Sequence, residues 1–158
     1  MHNELAKPIE VLLVEDNAGD IRLTKEAFKE GKIRLNLSVA RDGVEAMAFL
    51  RKEGSFAHTA RPDLVLLDLN LPRKDGREVL REMKNDPRLL RIPVVVLTTS
   101  ESDEDILGTY GFHANCYITK PVDIAVRQSR ETHRRVLVHS CKNSGWARGI
   151  GLAIGTGP

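Results

Sequence analysis

Three carboxylates, a set of hydroxyls and one ammonium sit just beyond short apolar runs in this sequence. Glu15 and Asp16 follow Ile9–Val14, and Asp68 follows Leu64–Leu67. Thr98 follows the run that closes at Leu97, and Lys120 follows Cys116–Ile118 by one threonine. Acids gathered at one point repel, and a divalent cation relieves that repulsion. Asp16 and Asp68 supply hard oxygen ligands, and a backbone carbonyl and waters complete an octahedron. That suits Mg2+, which keeps several waters and needs few protein ligands. A metal-bound carboxylate beside an ammonium and a hydroxyl is what phosphoryl transfer needs, since positioning and charge stabilisation are most of that reaction. Taken singly, each group has an ordinary reading. Glu15-Asp16-Asn17 can cap a helix, a Lys before Pro is usually solvated, and Thr98 can be strand filler. Their convergence is what carries the chemical reading.

Convergence requires a particular set of elements. Five apolar runs, Ile9–Val14, Leu35–Ala40, Leu64–Leu67, Ile92–Leu97 and Cys116–Ile118, are each of strand length. Most are near-continuous, as in strands buried on both faces of a parallel sheet, whereas Leu35–Val39 alternates like an edge strand. Helical segments lie between them. Ala18–Lys29 puts Ile21, Thr24, Ala27 and Phe28 on one stripe, with Gly31 as a stop. Asp42-Gly43-Val44-Glu45 resembles a capping box ahead of Ala46, Met47, Phe49 and Leu50, with Gly54 after them. Gly76–Lys84 offers Val79, Leu80 and Met83, and Ser100–Asp103 opens a fourth helix with acids in its first turn. Gly54–Pro62 and Asn85–Pro93 read as loops. Repeated strand and helix imply an α/β fold with a parallel sheet covered on both faces. In such a sheet the C-terminal strand ends share one edge, and sites are built there.

Val14-Glu15-Asp16-Asn17, Leu66-Leu-Asp-Leu-Asn-Leu-Pro-Arg-Lys-Asp-Gly76, Pro93-Val-Val-Val-Leu-Thr98 and Tyr117-Ile-Thr-Lys-Pro121 together resemble the CheY-like response-regulator receiver domains of two-component signalling. The resemblance covers about residues 8–122. It implies a flavodoxin-like (βα)5 fold with strand order 2-1-3-4-5. It implies Asp68 as phospho-acceptor, Asp16 and Asp68 as side-chain Mg2+ ligands, Asn70 as a ligand through its backbone carbonyl, and Glu15 acting through water. Thr98 and Tyr117 would form the switch pair and Lys120 would anchor the phosphoryl group, with a cis peptide bond to Pro121. Asp68–Val79 and Arg91–Ser100 are similar to the stand-alone regulators of bacterial and cyanobacterial phytochrome kinases. A phytochrome-type sensor histidine kinase is therefore the expected donor. The face of helix four, strand five and helix five is the expected surface for a homodimer.

The chain divides into an extension at 1–8, a receiver-like body at 9–122 and a tail at 123–158. The tail carries six Lys/Arg and two acids, whereas residues 1–122 carry 18 basic and 20 acidic groups. A fifth helix should follow Pro121, but Arg127–Arg135 contains no apolar residue, and Ser140–Pro158 is rich in Gly and small residues. A helix packed on a sheet needs an apolar residue every three or four positions. Irregular packing, a basic arm or a change of reading frame near residue 123 each fit; the last best fits the abrupt end of the resemblance. The basic residues there read as a solvated arm, so no nucleic-acid partner is expected. Gly149–Gly155 follows no strand of a βαβ unit and reads as a flexible terminus. The five histidines show no metal spacing and the two cysteines no disulfide framework. No apolar run is long enough for a membrane helix and no signal peptide is seen, so a cytoplasmic protein is expected; the receiver resemblance implies a phospho-acceptor with slow self-dephosphorylation and not an enzyme.

Two other functions share the fold class. A Mg2+-dependent phosphatase with an aspartyl nucleophile usually has a second acid two residues on, where this chain has Asn70. A flavin-binding protein would need a phosphate loop rich in Ser, Thr and Gly, whereas Glu15-Asp16 repels phosphate when no metal is present.

Overall fold

The densest Val, Ile and Leu runs become the central strands, because only there are both faces of a strand covered. The computed structural model describes residues 7–30, 34–98 and 116–119, with side chains up to residue 97. In chain order the elements are β1 (Ile9–Val14), α1 (Ala18–Glu30), β2 (Leu35–Ala40), α2 (Gly43–Arg51), a 3-10 turn at Gly54–Phe56, β3 (Leu64–Asp68), α3 (Gly76–Asn85), β4 (Val94–Thr98) and β5 (Cys116–Thr119). The sheet is parallel, in the order β2-β1-β3-β4-β5. Val14 pairs with Ala40 and Leu67, Asp68 with Leu97, and Thr98 with Thr119, so the C-terminal ends of all five strands lie along one edge. Fourth and fifth helices and the tail at 123–158 lie outside the described residues.

Alternate residues of each strand point to opposite faces, and the core splits accordingly. On one face Leu12, Val14, Val65, Leu67, Val94 and Val96 pack with Ala46, Met47, Phe49 and Leu50 of α2 and with Val79, Leu80 and Met83 of α3. On the other, Val11, Leu13, Leu64, Leu66, Val95 and Leu97 pack with Ile21 and Phe28 of α1. The expected stripe of α1 holds at Ile21, Thr24 and Phe28, while Ala27 is only partly buried. Thr24 is tolerated inside because its hydroxyl donates to the Asp20 carbonyl at 2.9 Å.

The ends of the elements differ from the sequence reading in instructive ways. Asp42 does cap α2, accepting from the Glu45 amide at 2.7 Å, but Glu45 reaches back to the Arg41 amide at 2.8 Å rather than to Asp42. The reciprocal box is on α3, where Asp75 is the cap and Glu78 returns to the Asp75 amide at 3.0 Å. The strand run at Ile92 begins only at Val94, because the Ile92 amide closes a turn onto the Leu89 carbonyl at 3.0 Å. Helix α2 ends at Arg51, three residues before Gly54. Lys52 itself takes the left-handed conformation, φ 57° and ψ 43°, and its amide turns back to the Ala48 and Phe49 carbonyls. A side chain there costs about 1–2 kcal/mol that glycine avoids. Lys52→Gly is expected to raise stability by about 0.5–1 kcal/mol after glycine's own entropy cost, read as a higher urea midpoint at unchanged slope. Among the described residues, no helix is long and apolar enough to cross a membrane.

Candidate metal centre

Strand β1 carries its pairing one residue past its end, with the Glu15 amide donating to the Ala40 carbonyl at 3.0 Å. This holds Glu15 inside, only 1% exposed, while Asp16 emerges at the surface. Asp68 is the last residue of β3, between β1 and β4, and is 4% exposed. One carboxylate oxygen from each of Glu15, Asp16 and Asp68 lies within 4.8 Å of the others. Two of these carboxylates are turned by the chain that follows them. The Asn17 amide donates to Glu15 Oε1 at 3.2 Å and the Asn70 amide to Asp68 Oδ1 at 3.1 Å. The Asn17 side chain then caps α1 through the Asp20 amide at 3.0 Å.

Carboxylates are common on surfaces, but two of these three are buried, and buried charge needs a compensating partner. The donors are all hard oxygens, with no imidazole or thiolate among them. That set fits a divalent cation of the Mg2+, Ca2+ or Mn2+ kind and not a soft-ligand site.

The loop from Asp68 to α3 is closed on itself and fastened to α2. The Gly76 amide donates to the Leu69 carbonyl at 3.0 Å, and Leu71 and Lys74 make local bonds to Leu69 and Pro72. Gly76 rests so tightly on the Asp68 carbonyl that a Cβ would overlap it. Gly43, at the start of α2, lies equally close to the Lys74 carbonyl. Arg73 is held left-handed, at φ 66°, and its guanidinium reaches Asp42 at 3.3 Å. Lys74 hydrogen-bonds Glu82 of α3, whose other oxygen takes Arg51 of α2 at 3.0 Å. The Lys74 ammonium, against the opposing effect of burial and with help from Arg51, holds the Glu82 carboxyl below the usual carboxylate range.

The structure therefore brings Glu15, Asp16 and Asp68 together, with the Asn70 backbone beside Asp68. Thr98 ends β4, the strand next to Asp68, one residue beyond the partner of Asp68, and Tyr117 registers with Val96 one strand further out, in β5. Lys120 and Pro121 lie outside the described residues. Sequence reasoning took Asp42 only as a helix cap and missed Arg73, Lys74 and Glu82. The one legible signal for this fastening was Asp75-x-x-Glu78, a capping-box spacing that fixes where the loop must end.

Residues 11–129 match the response regulator receiver domain. Response regulator Rcp1 from Synechocystis sp. (strain ATCC 27184 / PCC 6803 / Kazusa) is 52% identical over 120 residues, 76% of this chain and 82% of that protein. The solved structure of the phosphorylated cyanobacterial phytochrome response regulator RcpA superposes with a TM-score of 0.67 at 56% identity, covering 74% of this chain and 84% of that one. The Mn(2+)-bound form of Rcp1 gives 0.66 at 54% identity, covering 72% and 81%.

Proposed function

The chain belongs to the response regulator receiver domain family, and on that premise we propose that it takes a phosphoryl group from a phytochrome-type histidine kinase onto the Asp68 carboxylate. Mg2+ would be held by Asp16, Asp68 and the Asn70 backbone carbonyl, with Glu15 acting through water. The observation that carries this reading is the burial of Asp68 at the end of a central strand, within reach of two further carboxylates. In the transfer, an Asp68 oxygen forms the new P–O bond as the P–N bond of the donor phosphohistidine breaks, and the imidazole leaves with the electron pair. The cation, when bound, screens the acids from the incoming phosphoryl oxygens.

The chain's own part is to orient and to receive. The Asn70 amide fixes one Asp68 oxygen, so the carboxylate presents a defined lone pair. Lys120 would neutralise one phosphoryl oxygen and Thr98 would hydrogen-bond another. Tyr117, on the strand beside Thr98, would then fill the space that Thr98 leaves. The added charge at Asp68 would thereby alter a surface for a partner to read. The phytochrome response regulators among the relatives support a light-sensing kinase as the donor.

Incubation with acetyl phosphate and Mg2+ is expected to add one phosphoryl group to the intact mass, labile to base and absent when EDTA replaces Mg2+. Transfer from a purified, autophosphorylated bacteriophytochrome kinase is expected under the same conditions. A protein that gains no mass from either donor would remove Asp68 from this role.

A further inference from the structure

The loop that begins at Asp68 is held by two ion pairs that lie outside the acidic group, and together they tie it to two helices. Asp42 accepts from the Glu45 amide through one oxygen and from Arg73 through the other. Its carboxylate is only 14% exposed, whereas Arg73 is 65% exposed. The cation therefore comes from the loop and the anion from the rigid start of α2. Glu82 likewise joins Lys74 of the loop to Arg51 of α2 from a fixed position on α3. Arg73 keeps a left-handed backbone that only glycine adopts without strain. Strain of this kind survives only where its surroundings over-determine it, and it gathers at functional sites.

The two clamps grip consecutive residues, and Asn70 lies three residues before the first of them. The Lys74 carbonyl is pressed against Gly43, so the loop has little room to relax toward α2. The Asn70 side chain is exposed. Its backbone is placed by the Asp68 carboxylate on one side and by the clamped stretch on the other.

We infer that Arg73 and Lys74 are positioning residues. Paired with Asp42 and Glu82, they fix the 70–75 loop so that the Asn70 carbonyl and the Asp68 carboxylate keep the spacing a divalent cation requires. This rests on the metal reading proposed above. Octahedral Mg2+ demands near-ideal ligand placement, and groups behind the ligands set affinity by holding them in place.

The test uses the full chain and measures Mg2+ and Mn2+ binding by calorimetry. Glu82→Gln removes the anion that holds Lys74, and Arg73→Gly removes the Asp42 pair while leaving the left-handed backbone accessible. Each is expected to weaken cation binding roughly threefold to tenfold, below the effect of losing a direct neighbour of a ligand. Arg73→Lys keeps a cation opposite Asp42 and is expected to recover most of the affinity. Arg22→Gln breaks the exposed Arg22–Glu26 pair on α1, away from the loop, and is expected to bind as wild type. Urea midpoints in EDTA separate loss of binding from loss of folding. If wild type binds the cation and Asp68→Asn does not, the metal reading stands. Should Glu82→Gln and Arg73→Gly then bind within twofold of wild type, the positioning role is overturned. If wild type binds no cation, both readings fall.

Discussion

Asp68→Asn is expected to lose all phosphoryl uptake and, at the same time, to be more stable than wild type when no divalent cation is present. The two effects share one cause. Three carboxylate oxygens from Glu15, Asp16 and Asp68 lie within 4.8 Å of one another. Unit charges at such a distance repel by roughly 1 kcal/mol at the dielectric of water and by about 3 kcal/mol at that of a protein surface. Replacing Asp68 by its neutral isostere deletes two of the three pairwise repulsions and keeps the side-chain volume, so the 4% exposed site remains filled. The metal-free Asn protein should therefore unfold at a higher urea concentration. Adding Mg2+ should reverse the ranking, because a ligand that binds only the folded state stabilises it by RT ln(1 + [L]/Kd), and the variant has lost its central ligand. Urea curves of both proteins in EDTA and in excess Mg2+ decide this, with intact mass after acetyl phosphate as the second readout. Equal midpoints in EDTA would mean that the three acids do not destabilise the apo protein.

Gly76→Ala should cost about 3 kcal/mol or more, through space and not through backbone angle. A Cβ at Gly76 would fall on the Asp68 carbonyl oxygen and the Leu69 Cα, both main chain and both at the end of a buried strand. Neither can swing away as a side chain would. The Gly76 amide is also committed to the Leu69 carbonyl at 3.0 Å, so any shift breaks the bond that closes the loop. Overpacking a tight site typically costs 1–3 kcal/mol, and here the atoms that must move carry Asp68. That is a large part of the ~5–15 kcal/mol available to a domain. Gly54→Ala supplies the contrast. Gly54 has φ 56°, and a Cβ added there would meet no atom of the described residues within 4 Å, so its cost is conformational, about 1–2 kcal/mol. A urea midpoint for Gly76→Ala equal to that of Gly54→Ala would show that the loop has slack.

Much of this architecture was legible because parallel strands buried on both faces leave a continuous signature. Leu64–Leu67 and Val94–Leu97 could hardly be anything but interior strands, and the acids behind them had to meet at one edge. The depth of Glu15 was not legible. Adjacent Glu15 and Asp16 look alike in sequence, but the extra hydrogen bond to Ala40 keeps Glu15 on the course of the strand, where it is buried, while Asp16 is exposed. Helix ends are hardest to read where a non-glycine residue takes a glycine conformation. Gly54 stands out in the sequence as the stop after α2, yet Lys52 makes the turn. Arg73 does the same in the loop, and nothing in its residue type announces it. The ion pairs to Asp42 and Glu82 span 31 and 8 residues, and pairings across such distances leave no periodicity to read.

The strand order has a consequence for the growing polypeptide. β1 finds β2 first, but its other neighbour, β3, begins only at Leu64. A ribosome that has released only the first sixty or so residues presents a two-stranded fragment whose inner strand has a bare hydrogen-bonding flank. Val11 to Val14 must wait for Leu64 to Leu67 to be synthesised before that flank is sealed. At elongation rates of roughly 5–20 residues per second the exposure lasts on the order of a second, and in that interval a chaperone and a neighbouring nascent chain compete for the same unsealed flank.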